Sequence, residues 1–211
     1  RDLQKRALWV RKKVLDMVLK AQAGHLAPAY SCVEILVALY YGGILRFRSR
    51  DPGWSKRDRF ILSKGQAAAA LYAVLAGLGF FPEKELMTYT WEGSRLGGHA
   101  EDAVPGVEAF TGSLGHGLPI CCGMAYAAKT AAQTHLCVAL LGDGECHEGS
   151  VWEAAMFAGC NKLGNLVAII DNNGLSATDY LKNYLAVDPL ARKWEAFGWD
   201  VEHVNGHDFD N

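Results

Sequence analysis

The chain of 211 residues is long enough to bury a substantial hydrophobic core, as one large domain or a small pair. Half of the residues are hydrophobic and 21% are charged, which is typical of a globular protein and excludes an intrinsically disordered one. The formal net charge of −2, without a long run of Lys or Arg, argues against nucleic-acid or anionic-membrane binding. No segment has the pattern of a signal peptide or a membrane span, so we expect a cytoplasmic protein.

The first half of the chain predicts helices around one short strand. Residues 3–21 have helical periodicity, and a further helix is expected after Ser31, with Ser31 and Glu34 as its capping box. The sequence "RFILS" at 59–63 predicts a buried strand, and the alanine-rich run behind it predicts a helix ending near Gly79. The apolar stripe of the first helix consists of Leu3, Ala7, Val10, Val14, Met17 and Ala21.

The middle of the chain combines a loop with a helix of small residues. Residues 83–111 have the glycine and proline density of a functional loop, and residues 114–132 predict a helix that can pack closely against a neighbour. Six cysteines include no CxxC pair, so we interpret them as reduced, mostly buried thiols. Cys146 lies inside a glycine-rich motif, and we expect it to fill space rather than act as a nucleophile.

The last third follows a strict strand–helix–strand pattern. Apolar strands are predicted at 136–142 and 165–171, with a helix at 149–164 between them. A further helix should begin with Asp188 as N-cap, and 200–206 should open another strand. Because both central strands are apolar throughout, we predict an α/β fold: a parallel sheet in three layers with helices on both faces.

Two polar clusters end successive strands of this unit. Gly142-Asp143-Gly144 follows the first strand, and Asp171-Asn172-Asn173 ends the second. Ligands of open parallel sheets bind beyond the carboxyl ends of the strands, where these clusters lie. The oxygens of Asp143 and Asn173 suit Mg²⁺, and Gly144 with the helix near Ser150 suits a diphosphate. Each cluster alone is more typical of a turn, but the pair favours a metal–diphosphate site.

The spacing of GDG and NN, about 30 residues, resembles the thiamine diphosphate signature. Longer strings resemble the N-terminal half of a transketolase from about residue 20 onward: "GHLAPAYSCVEIL", "SKGQAAAALYAVLAGLGFFP", "VPGVEAFTGSLGHGL", "GDGECHEGSVWEAAMFAG" and "DNNGLSATD". Pyruvate dehydrogenase-type subunits share the GDG and NN frame but not "TGSLG". The resemblance implies the diphosphate-binding domain of a thiamine-diphosphate-binding fold.

The resemblance also implies roles for individual residues around the cofactor. Asp143, Asn173 and the Leu175 carbonyl would bind Mg²⁺, and the Gly144 N–H would donate to a phosphate oxygen. The Leu114 carbonyl would accept from the 4'-amino group of the cofactor, and the Leu175 side chain would lie beside the thiazolium. Gly112 would belong to the same cofactor-binding set.

Histidines and acids are further implied in substrate binding and subunit coupling. His25 and His99 match family histidines that line the donor channel and bind or protonate sugar oxygens. Glu148 and Glu153 match acids near the subunit interface that couple paired cofactor sites. Glu153 also completes a capping box with Ser150, and we favour capping for Glu153 and the functional role for Glu148.

The sequence departs from the family at two positions. Gln66 stands where transketolases carry a diphosphate-binding histidine, and His116 stands where they carry glutamine. The Gln66 amide can donate a hydrogen bond to phosphate but cannot carry a positive charge. It could instead cap the alanine-rich helix that begins beside it.

The resemblance covers one half of an active site. The chain matches one diphosphate-binding domain over residues 1–211, which we expect to be incomplete at its C-terminal end. No part of this sequence resembles the pyrimidine-binding domain or the glutamate that this domain places against the cofactor in the family, so we expect both to come from elsewhere. We therefore expect the N-terminal subunit of a split transketolase, or a fragment of a longer one. As a subunit it would need a pyrimidine-binding partner in an α2β2 heterotetramer.

The expected activity is transfer of a two-carbon ketol unit from a ketose phosphate to an acceptor. The acceptor could be a sugar phosphate, or a lipoyl or carrier-protein thiol arm in a biosynthetic pathway. A non-catalytic homologue is the less favoured alternative, because Asp143, Asn173 and Glu148 are all retained.

Overall fold

The computed structural model describes residues 2–177, 179–183 and 185–210. The chain divides into two compact units. The first contains the residues up to Asp58, Gly65–Gly112 and the residues from Asn205 onward. The second contains Arg59–Lys64 and Ser113–Val204.

The first unit is helical. Its α-helices are α1 (Asp2–Ala21), α2 (Leu26–Ser31), α3 (Val33–Tyr41) and α4 (Ala68–Gly77), with 3-10 helices at Gly65–Ala67 and Glu83–Thr88. Four of the six predicted stripe residues of α1 are buried, namely Ala7, Val10, Val14 and Met17. Every residue from Ala68 to Ala76 is buried, so α4 forms the centre of this unit.

The capping box predicted at Ser31 and Glu34 is wrong. The N-cap residue of α3 is Cys32, which makes no side-chain cap hydrogen bond, and Ser31 is the last residue of α2. Glu34 instead forms an ion pair with Arg11 of α1 and lies 3.0 Å from His207 Nδ1. The guanidinium offers two donors to the carboxylate, a stronger arrangement than a single capping hydrogen bond.

Among its described residues, the second unit has a parallel sheet of three strands in the order β1-β2-β3. The strands are β1 (Arg59–Leu62), β2 (Cys137–Gly142) and β3 (Leu166–Asp171). Register pairs Leu62 with Leu140, and Gly142 with Asp171. The carboxyl ends of all three strands therefore lie at one edge of the sheet.

In the described part of the second unit, the α-helices are α5 (Gly117–Thr130), α6 (Gly149–Cys160) and α7 (Leu190–Ala196). Short 3-10 helices occupy Gly144–His147 and Leu181–Asn183. Helix α5 packs against β1, β2 and α6. Its first residue must be small, because a Cβ on Gly117 would overlap the Ser63 side chain at the end of β1.

Three expectations about this unit are corrected. Residues 200–206 form no strand, and Val204 is 68% exposed, so the alternation of this segment buries no apolar face. Helix α7 begins at Leu190 with Pro189 as its N-cap, so Asp188 lies one residue too early to cap it. Strand β2 is buried almost throughout, whereas Val167 in β3 is 41% exposed, so the burial on both faces expected of the two central strands holds for β2 but not for β3.

Within the described ranges, no helix has both the length and the apolar character that crossing a membrane requires.

Candidate functional site

Polar residues follow each of the three strands. Ser63 and Lys64 come after β1, Asp143 comes after β2, and Asp171 is the last residue of β3. Ser63, Lys64, Asp143 and Asp171 are buried, although such residue types usually lie at the surface. The sheet edge is therefore a buried polar cluster.

Asp143 is held by the backbone of two segments. Its Oδ1 accepts a hydrogen bond from the Gly144 N–H at 2.8 Å, and its Oδ2 accepts one from the Gly174 N–H at 2.6 Å. Burial raises the pKa of the Asp143 carboxyl, while the two backbone donors oppose this shift. Both oxygens are thereby fixed in direction, and the residues that follow β2 and β3 lie close together.

The segment after β3 forms a tight turn beside Asp143. The Asn173 Oδ1 accepts from the Leu175 N–H at 2.9 Å, and the Leu181 N–H donates to the Gly174 carbonyl at 3.0 Å. Gly174 has a φ of +73°, a conformation that favours glycine. The Leu175 side chain is 48% exposed, which suits contact with a ligand better than a place in the core.

An ion pair between Lys64 and Asp171 joins the ends of the two outer strands. The side chains are 3% and 7% exposed, respectively. The Asp171 carbonyl also accepts a hydrogen bond from the Asp143 N–H at 3.2 Å. Asp171 therefore connects the ion pair directly to Asp143. Sequence reasoning missed Lys64, because the lysine in "SKGQ" carries no local sign of burial.

Glu145 is a second buried acid that sequence reasoning missed. It accepts hydrogen bonds from the Ser63 hydroxyl, the Gly115 N–H at 2.9 Å and the Gly142 N–H at 3.2 Å. Burial raises the pKa of Glu145, and these donors with the nearby Lys64 oppose the shift. Its position directly after GDG was the only sequence signal, and it did not indicate that the side chain turns inward.

The predicted capping box of Ser150 and Glu153 is wrong. The N-cap of α6 is Glu148, without a side-chain cap, and the Ser150 hydroxyl donates to the Gly115 carbonyl at 2.8 Å. A Cβ on Gly115 would lie 2.5 Å from Cβ of Glu148, so the loop before α5 fits closely over the start of α6. Glu148 and Glu153 are exposed.

The loop before α5 also contains Leu114 and His116. The His116 Nδ1 lies 3.1 Å from the Leu114 carbonyl oxygen, the group implied to accept from the cofactor. His116 is exposed and therefore engages its own loop rather than the core.

In the first unit, His25 and His99 lie side by side. Their ring centroids are 5.4 Å apart at an interplanar angle of 51°. Burial lowers the pKa of His25, and the neighbouring charge of His99 lowers it further. The neutral ring, which can donate one hydrogen bond and accept another, is thus favoured near neutral pH.

Two glycines allow close packing in the part of the first unit that contains His99 and Gln66. A Cβ on Gly112 would lie 3.1 Å from Cγ of His99, so the histidine ring rests on the Gly112 backbone. A Cβ on Gly65 would lie 2.6 Å from the Thr111 carbonyl oxygen, which places the 3-10 turn containing Gln66 against the same segment. Helix α4 has Ala67 as its N-cap without a side-chain cap, so capping by Gln66 is not formed.

The structure therefore assembles the predicted residues into two groups. The strand-end group in the second unit contains Leu114, Asp143, Gly144, Glu148, Asn173 and Leu175. The histidine group in the first unit contains His25, Gln66, His99 and Gly112.

The oxygen donors of the strand-end group fit a magnesium–diphosphate ligand. Among the described residues, no three His, Cys, Asp or Glu side chains converge to bind a metal by themselves. Asp143 instead offers a buried carboxylate next to the Asn173–Leu175 turn, in which the Asn173 amide oxygen is a further oxygen donor. Such a donor set leaves coordination positions for phosphate oxygens, as Mg²⁺ usually requires.

The cysteines take no part in this chemistry. All six thiols are free, and only Cys160 is exposed. Burial, followed by the nearby Glu145 and Asp143, raises the pKa of Cys146 to about 12. The thiol of Cys146 is thus protonated at neutral pH and fills space, as predicted.

Comparisons with known proteins identify the family. A family model described as the transketolase thiamine diphosphate binding domain matches residues 4–211. The chain belongs to the transketolase family. This finding confirms the resemblance, and with it the α/β thiamine-diphosphate-binding fold.

Two relatives of this transketolase-family chain are named as parts of split enzymes. An apulose-4-phosphate transketolase subunit of Phocaeicola vulgatus is 43% identical over 201 residues, covering 95% of this chain and 71% of that protein. A 6-deoxy-6-sulfo-D-fructose transketolase subunit of a Clostridium species is 40% identical over 210 residues, covering 99% and 76%. They confirm the expected transketolase-type transferase subunit.

Transketolase from Campylobacter jejuni has a similar structure, with a TM-score of 0.93 and 35% sequence identity. The match covers 99% of this chain and 34% of that one, so the chain spans about a third of the solved transketolase.

Proposed function

We propose that this chain is the diphosphate-binding subunit of a two-subunit, thiamine-diphosphate-dependent transketolase. It would act with a pyrimidine-binding partner to transfer a two-carbon ketol unit from a ketose with a terminal anionic group, such as a phosphate. The observation that carries this proposal is the fixed Asp143 carboxylate, which two backbone N–H groups orient beside the Asn173–Leu175 turn. The two named relatives, whose ketoses bear a phosphate or a sulfonate, support the donor class.

In this proposal the strand-end group binds the diphosphate end of the cofactor. Asp143, the Asn173 amide oxygen and the Leu175 carbonyl would bind Mg²⁺, and the Gly144 N–H would donate to a phosphate oxygen. The Leu114 carbonyl would orient the pyrimidine amino group, and Glu148 would couple paired sites at the subunit interface. When bound, thiamine diphosphate supplies the carbon that carries the two-carbon unit between donor and acceptor.

The histidine group would bind the sugar. His25 and His99 would donate to and accept from the donor hydroxyls, and hold or move protons at those oxygens. A neutral His25 at the pH of activity supports this role, because its ring then offers both a donor and an acceptor. Gln66 and Gly112 would contact the cofactor.

The decisive test removes the only charged metal ligand of the proposal. Asp143→Ala should abolish binding of magnesium thiamine diphosphate to the complex of chain and partner, as measured by calorimetric titration. The anionic diphosphate would then hold a cation without a protein carboxylate. The control Asp200→Ala removes an exposed carboxylate from the same unit and should bind normally. Equal affinity of Asp143→Ala and wild type would refute the proposed site.

Assembly is tested separately. The chain alone should show no ketol transfer, and activity should appear on addition of a pyrimidine-binding subunit. Light scattering should give the complex the mass of two copies of each subunit. Turnover by the chain purified without a partner would contradict the proposed division of the active site. The heterotetramer and the cytoplasmic location stay predictions.

A further inference from the structure

The segment carrying His99 is fastened to helix α4 by one buried hydroxyl. The Tyr72 hydroxyl donates to the His99 carbonyl at 2.6 Å and accepts from the Glu101 N–H at 3.1 Å. Tyr72 is 0% exposed and lies in the middle of the buried helix α4. Its oxygen therefore bridges two backbone groups on either side of Ala100, which is itself 1% exposed.

This bridge determines where the His99 ring lies. A hydrogen bond to the His99 carbonyl fixes the peptide that follows this residue, and with it the direction in which the side chain leaves the backbone. The ring then rests against the Gly112 backbone and reaches 5.4 Å from the His25 ring. The Thr111 N–H donates to the Ala100 carbonyl at 3.0 Å, which holds the segment before Gly112 against the segment that carries His99.

We infer that Tyr72 is a positioning residue for His99, setting the spacing of the His25–His99 pair through its hydroxyl. Tyr72 does not contact the donor in this arrangement and acts only through His99. The inference deepens the proposed function, and its kinetic consequence rests on that function.

The chain offers a matched control in Tyr89. This tyrosine is 1% exposed and packs edge-on against Tyr72, with ring centroids 6.3 Å apart. Within the described part of the chain, the Tyr89 hydroxyl has no hydrogen-bond partner. Tyr72→Phe and Tyr89→Phe thus remove the same atom from neighbouring buried rings, and only the first removal breaks a contact to His99.

The kinetic experiment uses the complex with its partner, the cofactor and a ketose phosphate donor. Tyr72→Phe should raise the donor KM about two- to tenfold, the loss expected from one hydrogen bond, with kcat within about twofold of wild type. Affinity for magnesium thiamine diphosphate should not change, and Tyr89→Phe should match wild type throughout. Equal donor KM values in the two variants would overturn the inference, as would a fall in thermal stability of Tyr72→Phe without a change in KM.

NMR spectroscopy of the chain alone tests the inference without an activity assay. The ring resonances of His99 and His25 should shift in Tyr72→Phe and stay in place in Tyr89→Phe. Unshifted rings in Tyr72→Phe would overturn the inference. If the wild-type complex showed no ketol transfer, the proposed function would be refuted. The histidine resonances would still test the positioning role of Tyr72.

The wild-type chain provides a measurement that survives a folding failure of Tyr72→Phe. The Glu101 amide should exchange slowly with solvent, because it donates to the buried Tyr72 oxygen. Exchange as fast as in an exposed loop would show that the bridge does not form, and would overturn the inference.

Discussion

The strand-end group and the histidine group are held in place by different forces. Around Asp143, charged side chains are buried together: Lys64 pairs with Asp171, and Glu145 accepts three hydrogen bonds. Around His99, the contacts are neutral: one tyrosine hydroxyl, one glycine backbone and a second imidazole. The first group is rigid because each buried charge depends on its partners, and the second because backbone and ring fit closely.

This difference predicts how each group responds to damage. Removal of one partner of the Lys64–Asp171 ion pair beside the strand-end group leaves an uncompensated buried charge and should reduce the stability of the fold. A change in the histidine group should move a ring by a small distance and alter binding or ionisation, with little effect on folding.

The largest effect is expected for Lys64→Met. This variant leaves the Asp171 carboxylate buried without its cation and should lower the free energy of unfolding by about 3–5 kcal/mol, as measured by denaturant titration. Lys64→Met combined with Asp171→Asn should recover part of the loss, because neither charge then remains. Lys13→Met, which breaks a partly exposed pair with Glu83, should cost no more than about 1 kcal/mol. Similar losses for Lys64→Met and Lys13→Met would contradict the contrast between the groups.

Gly115→Ala should follow in size. Gly115 has a φ of +81°, and its added Cβ would meet Glu148 and Ser150 at 2.5 Å. Strain and overpacking together should lower the unfolding free energy by about 2–4 kcal/mol. Gly43→Ala is the matched control, since Gly43 has a φ of +75° and no atom within 4 Å of the added Cβ. If the two substitutions cost the same, crowding against α6 contributes nothing.

Gln66→Ala should affect ligand binding rather than folding. If the amide donates to the diphosphate, the loss should weaken cofactor affinity by about 1–3 kcal/mol, measured by titration with the partner present. Gln66→His should keep binding, more so below the pKa of the imidazole, where a positive charge faces the phosphate. Gln133→Ala removes an exposed amide and serves as the control. Unchanged affinity in Gln66→Ala would remove Gln66 from the site.

The smallest effect concerns ionisation of the histidine pair. His99→Gln removes the neighbouring charge, so the pKa of His25 should rise, but only part of the way, because burial is the larger cause. NMR titration of both proteins measures this shift. Since the folded pKa is lowered, the stability from His25 is present above pH about 6.5 and lost as the pH falls through the lowered pKa. An unchanged His25 pKa in His99→Gln would show that the rings do not interact.

Local patterns in the sequence predicted the elements well and their ends poorly. Helical periodicity identified the buried side of α1, and apolar runs identified all three strands. Capping boxes failed at Ser31 and Ser150, because other partners outcompeted the local hydrogen bond: the guanidinium of Arg11 for Glu34, and the Gly115 carbonyl for Ser150.

The candidate site was predictable only where a motif marks it. The GDG and NN motifs indicated Asp143 and Asn173, because positions directly after parallel strands have a known geometric meaning. Lys64 and Glu145 were not, since a charged residue is expected at the surface and only the assembled sheet edge reveals its burial. Tyr72 escaped for the same reason, because its contact with His99 spans 27 residues of sequence.

Because Lys64 is buried, the chemical reactivity of its amine can be used to measure opening of the sheet edge. Its amine is inaccessible in the native state, whereas most lysines of a protein surface react freely with acylating reagents. Peptides containing Lys64 should therefore stay unlabelled while the sheet edge is closed and gain label as it opens. Mass spectrometry of that single side chain would follow opening of the sheet edge in crude extracts, without purification or an assay of turnover.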